Sequence, residues 1–142
     1  MTAILGNPNH DRAKSLLVTE SVGPFRTTGL RPALVSMRGV LTEVRRDLPD
    51  LYAILTNNGM HVIRASRGQT SWSNHSWGIA IDFLVSGYSP GLGTKTSIRG
   101  LDALAPYFNK AGWYWGGGYR SVSRKDPMHF ECGLALIKSF GL

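Results

Sequence analysis

From Pro32 to Arg46 the apolar residues Leu34, Met37, Leu41 and Val44 return at spacings of three and four. That period draws one apolar stripe down a helix, with Arg38, Glu43, Arg45 and Arg46 left for water. Pro32 suits the first turn, and Pro49 ends this helix or starts the next. Asp50 to Asn57 reads as a second, shorter helix with Leu51, Ile54 and Leu55 inward, stopped by Asn57-Asn58-Gly59. The period then changes to two. Met60–Ser66 predicts a strand with Met60, Val62 and Arg64 on one face. Ile79–Val85 predicts another, short, β-branched and aromatic, ended by Gly87. Asp126–Cys132 predicts a third, with Met128, Phe130 and Cys132 opposite His129 and Glu131. Leu101–Lys110 reads as a helix with Leu101, Leu104 and Phe108 inward, although Pro106 argues for a break or an early first turn. Leu134–Phe140 reads as a short closing helix. The first 31 residues are poorly patterned and punctuated by Pro8, Gly23, Pro24 and Gly29. They are expected to form an arm or loop of the same domain, with a short strand near Leu16–Thr19, ahead of its main body at 32–142. The fold class expected is α+β: a small antiparallel sheet packed against two or three helices.

Polar residues interrupt two of the apolar strands. Asp82 lies within Ile79–Val85, and a buried carboxylate needs a cation, a metal or several donors to offset its desolvation. His75 precedes it by seven positions, with Gly78 between them where the backbone needs a turn or a close approach. If the strand carrying Asp82 neighbours the one carrying His129, then His75, Asp82 and His129 converge. Two imidazoles and a carboxylate, with a fourth position for water, make a usual catalytic zinc set. Residue types alone leave other readings open: a single histidine is commonly a surface or hydrogen-bonded group, and Asp82 could pair with an arginine. His10 reads as an exposed bystander. Trp72 and Trp77, flanking His75, could be core or the flat walls of a cleft.

Composition narrows the partners. The chain has 142 residues, enough for one domain, and 17 glycines, which suit a loop-rich fold. Its one cysteine, Cys132, excludes an intrachain disulfide and reads as a small buried hydrophobe. The formal charge of +7 favours a polyanionic partner such as nucleic acid, anionic lipid or bacterial wall polymer. The basic residues are scattered and match no nucleic-acid motif, so no nucleic acid is expected. No stretch is long and apolar enough for a membrane span, and the N-terminus has no signal-peptide pattern. The expectation is a monomer made in the cytoplasm and acting, after release, on a wall.

The motifs then carry a family resemblance. Ser73-x-His75-x-x-Gly78-x-Ala80-x-Asp82 resembles the first motif of the zinc D-Ala-D-Ala carboxypeptidases and dipeptidases and of the phage L-alanyl-D-glutamate endolysins. Asp126-x-x-His129 is similar to their second motif, an acid two residues before a histidine. Trp115-Gly116-Gly117 is similar to a segment of the endolysin branch. The resemblance implies one zinc per chain, held by His75, Asp82 and His129, with Asp126 as the general base. Many relatives have Glu at that position. It also implies an arginine on the strand before the first motif to stabilise the oxyanion: Arg64, with Arg67 as its rival. The segment from Gly68 to Trp72 is shorter than in those relatives. Arg67 and Ser73 are assigned to substrate binding. The implied substrate is the stem peptide of bacterial peptidoglycan, cut between L-Ala and D-Glu as first choice, with removal of terminal D-Ala as second. Glu131 is expected either to orient a ligand imidazole or to lie on the surface near Arg124. A different class shares the fold and the zinc set. The hedgehog signalling domain shows that a zinc-stabilised wall-binding or signalling module, weak in catalysis, would keep the three ligands and need no base.

Overall fold

The computed structural model describes residues 1–66, 71–93 and 96–142. Residues 1–31 form more than an arm or loop. Two short helices, α1 (Thr2–Leu5) and α2 (Asp11–Ser15), lead into an antiparallel hairpin of β1 (Leu17–Ser21) and β2 (Arg26–Leu30), in register from Leu17 opposite Leu30 to Ser21 opposite Arg26. Threonines occupy much of this hairpin, and the Thr19 and Thr28 hydroxyls bond across it at 2.6 Å. The short strand expected near Leu16–Thr19 is β1, whereas β2 has too weak an apolar alternation to read from the chain. Leu5, Val22 and Leu30 are nevertheless buried in the common core.

The long helix α3 (Arg31–Asp47) forms as its stripe predicts and buries Leu34, Met37, Val40, Leu41 and Val44. The second predicted helix is shorter than expected: α4 (Pro49–Ala53) stops, and Leu55–Asn57 becomes strand β3. Two forces take those residues out of the helix. Leu55 is buried by pairing opposite Val85, and the Asn57 side-chain oxygen accepts the Gly59 N–H at 3.0 Å, a local turn that competes with helix.

The strand predicted at Met60–Ser66 does not form a ladder, apart from a single bridge between Ala65 and Trp72. Its neighbour is a 3-10 turn, Asn74–Trp77, which cannot offer a row of paired groups. The Ser76 hydroxyl substitutes for a strand there. It accepts the Arg64 N–H at 3.0 Å and donates to the Arg64 carbonyl at 2.9 Å.

Strand β4 (Ala80–Val85) is central. After it come α5 (Arg99–Lys110), β5 (Trp113–Trp115), β6 (His129–Cys132) and α6 (Leu134–Ser139). The sheet runs β3-β4-β6-β5, all antiparallel. One face carries Ile81, Phe83, Phe130 and Trp113 into the core against α3 and α5. Phe83 stands 5.4 Å, centroid to centroid, from both Phe108 and Phe130. Helix α5 runs through Pro106 without a break. Pro106 and Asp102 both lie on its exposed side, so the carbonyl that loses its partner faces water. The opposite face of the sheet carries Asp82, His129 and Glu131. The α+β class and the small antiparallel sheet against helices are as the sequence predicts. No described helix is long and apolar enough to cross a membrane.

Candidate metal centre and cleft

Ser73 begins the site. Its hydroxyl accepts the His75 N–H at 3.3 Å and caps the turn on which His75 sits. Gly78 closes that turn at φ +67°, and a Cβ there would lie 2.8 Å from both Gly29 Cα and Leu30 N. The Gly78 carbonyl accepts the Leu30 N–H at 2.9 Å. The N-terminal hairpin therefore holds the glycine of the first motif by backbone contact. His75 is buried, and its Nδ1 lies 2.7 Å from the Met60 carbonyl. That oxygen can only accept, so Nδ1 carries the hydrogen and Nε2 keeps its lone pair. Nε2 is 3.4 Å from Asp82 Oδ1.

The strand register brings His129 to the same place. Asp82 stands directly opposite His129 on β4 and β6. The ladder bonds fall on either side, from the Phe83 N–H to the Met128 carbonyl (2.8 Å) and from the Cys132 N–H to the Ile79 carbonyl (2.9 Å). Asp82 and His129 are thus a non-hydrogen-bonded pair, whose side chains approach most closely. His129 Nδ1 lies 3.4 Å from Asp82 Oδ1, and the two imidazole rings are 5.1 Å apart.

The donor set fits a metal. One ligand atom from each of His75, Asp82 and His129 lies within 4.8 Å of the others. His75 Nε2 and Asp82 Oδ1 are buried without a hydrogen bond, a deficit a cation would fill. A tetrahedral ion with bonds of ~2.0–2.1 Å sets its ligands roughly 3.4 Å apart, which matches the 3.4 Å from Asp82 Oδ1 to each imidazole. Burial alone would raise the Asp82 pKa, but His129 and His75 together hold it well below the usual carboxylate range. Burial would lower that of His129, but Asp82 and Glu131 outweigh it and raise it to about 9.

A cleft of about 220 Å³ opens over this group, lined among others by Arg64, Trp72, Ser73, Tyr119 and Asp126. Asp126 is seated by backbone: its N–H donates to the Gly116 carbonyl, and its carbonyl accepts the His129 N–H, both at 3.0 Å. A Cβ on Gly116 would collide with the Asp126 carbonyl, so only glycine permits that seat. Trp115 Nε1 donates to the Pro127 carbonyl at 2.7 Å and braces the same segment. The Trp115-Gly116-Gly117 stretch is thus a shelf under Asp126.

The structure brings Arg64, Ser73 and Asp126 into one cleft with His75, Asp82 and His129 close beneath. Arg67 lies outside the described residues. The tryptophans divide: Trp72 walls the cleft, and Trp77 is core, its Nε1 donating to the Gly6 carbonyl at 2.9 Å. Glu131 is not a surface carboxylate, because its side chain is largely buried and lies 3.3 Å from His129 Nε2. Sequence reasoning missed Asn74 and Tyr119. Asn74 reads as part of an accidental glycosylation sequon and Tyr119 as the end of an aromatic run, yet both contact Glu131. Their signal lies in tertiary register, which the local pattern does not carry.

Residues 67–132 match the family model described as D-alanyl-D-alanine carboxypeptidase. Over this stretch the chain is similar to that family. The matched segment contains both motifs, and the metal-binding geometry found independently lies within it. The chain is accordingly a metallopeptidase, a hydrolase of the peptidoglycan-acting kind, and the family implies a metal, usually zinc. Comparison with curated proteins and with solved structures gives no match.

Proposed function

We propose that this peptidase is an endolysin-like zinc enzyme that hydrolyses a bond in the stem peptide of bacterial peptidoglycan, between L-Ala and D-Glu. One observation carries the reading: three metal-binding side chains converge beneath a cleft that also holds a carboxylate and a guanidinium. His75, Asp82 and His129 would hold the ion, which when bound supplies Lewis-acid activation of water and of the scissile carbonyl. Asp126 takes a proton from the attacking water and passes it to the leaving amine. Arg64 faces the carbonyl oxygen as negative charge develops, with Arg67 as the alternative donor. Ser73 holds the turn under His75 and forms part of the wall that receives the peptide. The enzyme acts as a monomer at the wall after release from the cytoplasm, without nucleic acid and without membrane insertion.

Removal of terminal D-Ala is the second reading, favoured by the description of the matching family. The Trp115-Gly116-Gly117 resemblance favours the endopeptidase. The deciding assay is release of new amino groups from purified peptidoglycan, with and without a chelator, followed by mass spectrometry of the fragments. Chelator-sensitive release with new N-terminal D-Glu supports the first reading, and free D-Ala supports the second. Asp126→Ala should keep its metal and lose about 10²–10⁴-fold in turnover. Turnover left unchanged by that substitution would remove Asp126 from the mechanism. Zinc bound at one equivalent with no release from several wall types would point instead to a binding module.

A further inference from the structure

Three donors converge on the two oxygens of one buried carboxylate. The Tyr119 hydroxyl donates to Glu131 Oε1, where His129 Nε2 also lies at 3.3 Å, and the Asn74 side-chain amide donates to Oε2. The donors come from separate pieces of chain. Asn74 opens the turn that carries His75, Tyr119 follows the glycine shelf, and Glu131 stands two residues beyond His129 on β6. Register explains the meeting, since Glu131 pairs opposite Ala80 on one side and Tyr114 on the other, in the interior of the sheet.

A carboxylate buried this way is costly unless its lone pairs are met, and here three donors meet them. With its lone pairs engaged and no proton of its own, Glu131 can only accept. His129 must then carry a hydrogen on Nε2, so that Nδ1, 3.4 Å from Asp82 Oδ1, is the nitrogen a bound metal would take. His75 reaches the same end with the opposite nitrogen, because the Met60 carbonyl takes its Nδ1 hydrogen. One ring is set by the backbone and the other by side chains.

We propose that Asn74, Tyr119 and Glu131 form a clamp that fixes the ring orientation of His129 and keeps its hydrogen on Nε2, so that Asn74 and Tyr119 are positioning residues for metal binding. The inference rests on the reading of His75, Asp82 and His129 as the metal set. Tyr119 borders the cleft, but its hydroxyl is turned to Glu131. Asn74 precedes one ligand in sequence and serves the other in space.

The test uses the full chain and zinc as the probe. Zinc affinity is measured by competition with a chromophoric chelator, beside the His129 ring N–H resonance in the metal-free and zinc-loaded protein. Glu131→Gln keeps the shape but introduces a donor where three donors already point, and it should weaken zinc about 10–100-fold. Tyr119→Phe retains the ring's packing and should weaken zinc about 3–10-fold by the same rule, as should Asn74→Ala. The clamp acts as a unit, so Tyr119→Phe should add little to Glu131→Gln in the double variant. The His129 Nε2–H signal should be protected from exchange in the wild type, shifted in Tyr119→Phe and lost in Glu131→Gln. A purely structural role would lower the melting temperature and leave that signal in place. Tight wild-type binding with variants within twofold, or fully additive losses, overturns the clamp alone. No zinc binding by the wild type overturns the metal reading and the clamp with it.

Discussion

The two limbs of the metal centre are held by different means. The His75 limb is fixed by main chain: its imidazole bonds the Met60 carbonyl, and its motif glycine presses on the backbone of Gly29 and Leu30 in the N-terminal hairpin. The His129 limb is fixed by strand register and by side chains, with Asp82 across the ladder and Glu131 two residues on. The first limb therefore depends on how the hairpin packs, far away in sequence. The second depends on a few polar atoms nearby. Each limb also contains a glycine that no other residue could replace without collision, Gly78 in the first and Gly116 in the second. These glycines allow the limbs to be broken separately.

The largest effect is expected at Gly78. Gly78→Ala combines a left-handed backbone, which costs about 1–2 kcal/mol for a residue with a Cβ, with a backbone overlap at 2.8 Å on two atoms. The neighbouring atoms are main chain and cannot rotate away. The stability lost should be roughly 3 kcal/mol or more, within the range of severe single substitutions. Metal binding should fall together with the denaturation midpoint, because the hairpin and the His75 turn separate as a unit. Wild-type stability in this variant would mean that the hairpin does not hold the limb.

Gly116→Ala tests the other limb and should act on chemistry before stability. The new Cβ pushes against the Asp126 carbonyl and comes within 3.1 Å of His129 Cβ. A displacement of about 1 Å at a catalytic group costs on the order of 10²-fold in rate. We expect kcat to fall by about that factor while one metal per chain is retained. Equal loss of metal and kcat would show that the shelf supports His129 as much as Asp126.

The legible part of the molecule is the part whose pattern is local. The spacing of Leu34, Met37, Leu41 and Val44 marks α3, and the alternation in Ile79–Val85 and Met128–Cys132 marks the strands that bring Asp82 and His129 together. The His75, Asp82 and His129 set is what the resemblance of the two motifs implies, and the register of those strands brings the three side chains together. Of the hairpin of residues 17–30 only the first strand, expected near Leu16–Thr19, shows in the sequence, because threonine and serine occupy positions where an apolar alternation would mark the rest. Strand β3 escapes because Leu55 is drawn into pairing by a partner that lies beyond it in sequence. Asn74 and Tyr119 escape for a related reason, since they matter only through a carboxylate that the sheet register delivers to them. Contacts of long sequence separation carry these features, and residue type along the chain does not record them.

The smallest expected effect asks how far the hairpin limb extends. Trp77 is buried, and its indole N–H donates to the Gly6 carbonyl, joining the His75 turn to the end of α1. Trp77→Phe keeps much of the aromatic volume and removes that donor, leaving a carbonyl without its partner. The loss should be about 1 kcal/mol, the usual worth of one neutral hydrogen bond, read as a lower denaturation midpoint. His75 keeps its own bond to Met60 and Gly78 keeps its seat against Leu30, so zinc affinity and kcat should stay within about twofold, a difference below ~0.5 kcal/mol. If zinc affinity falls further than that, the main-chain limb reaches back to the first residues of the chain. The contrast with the side-chain limb would then be one of length as well as kind.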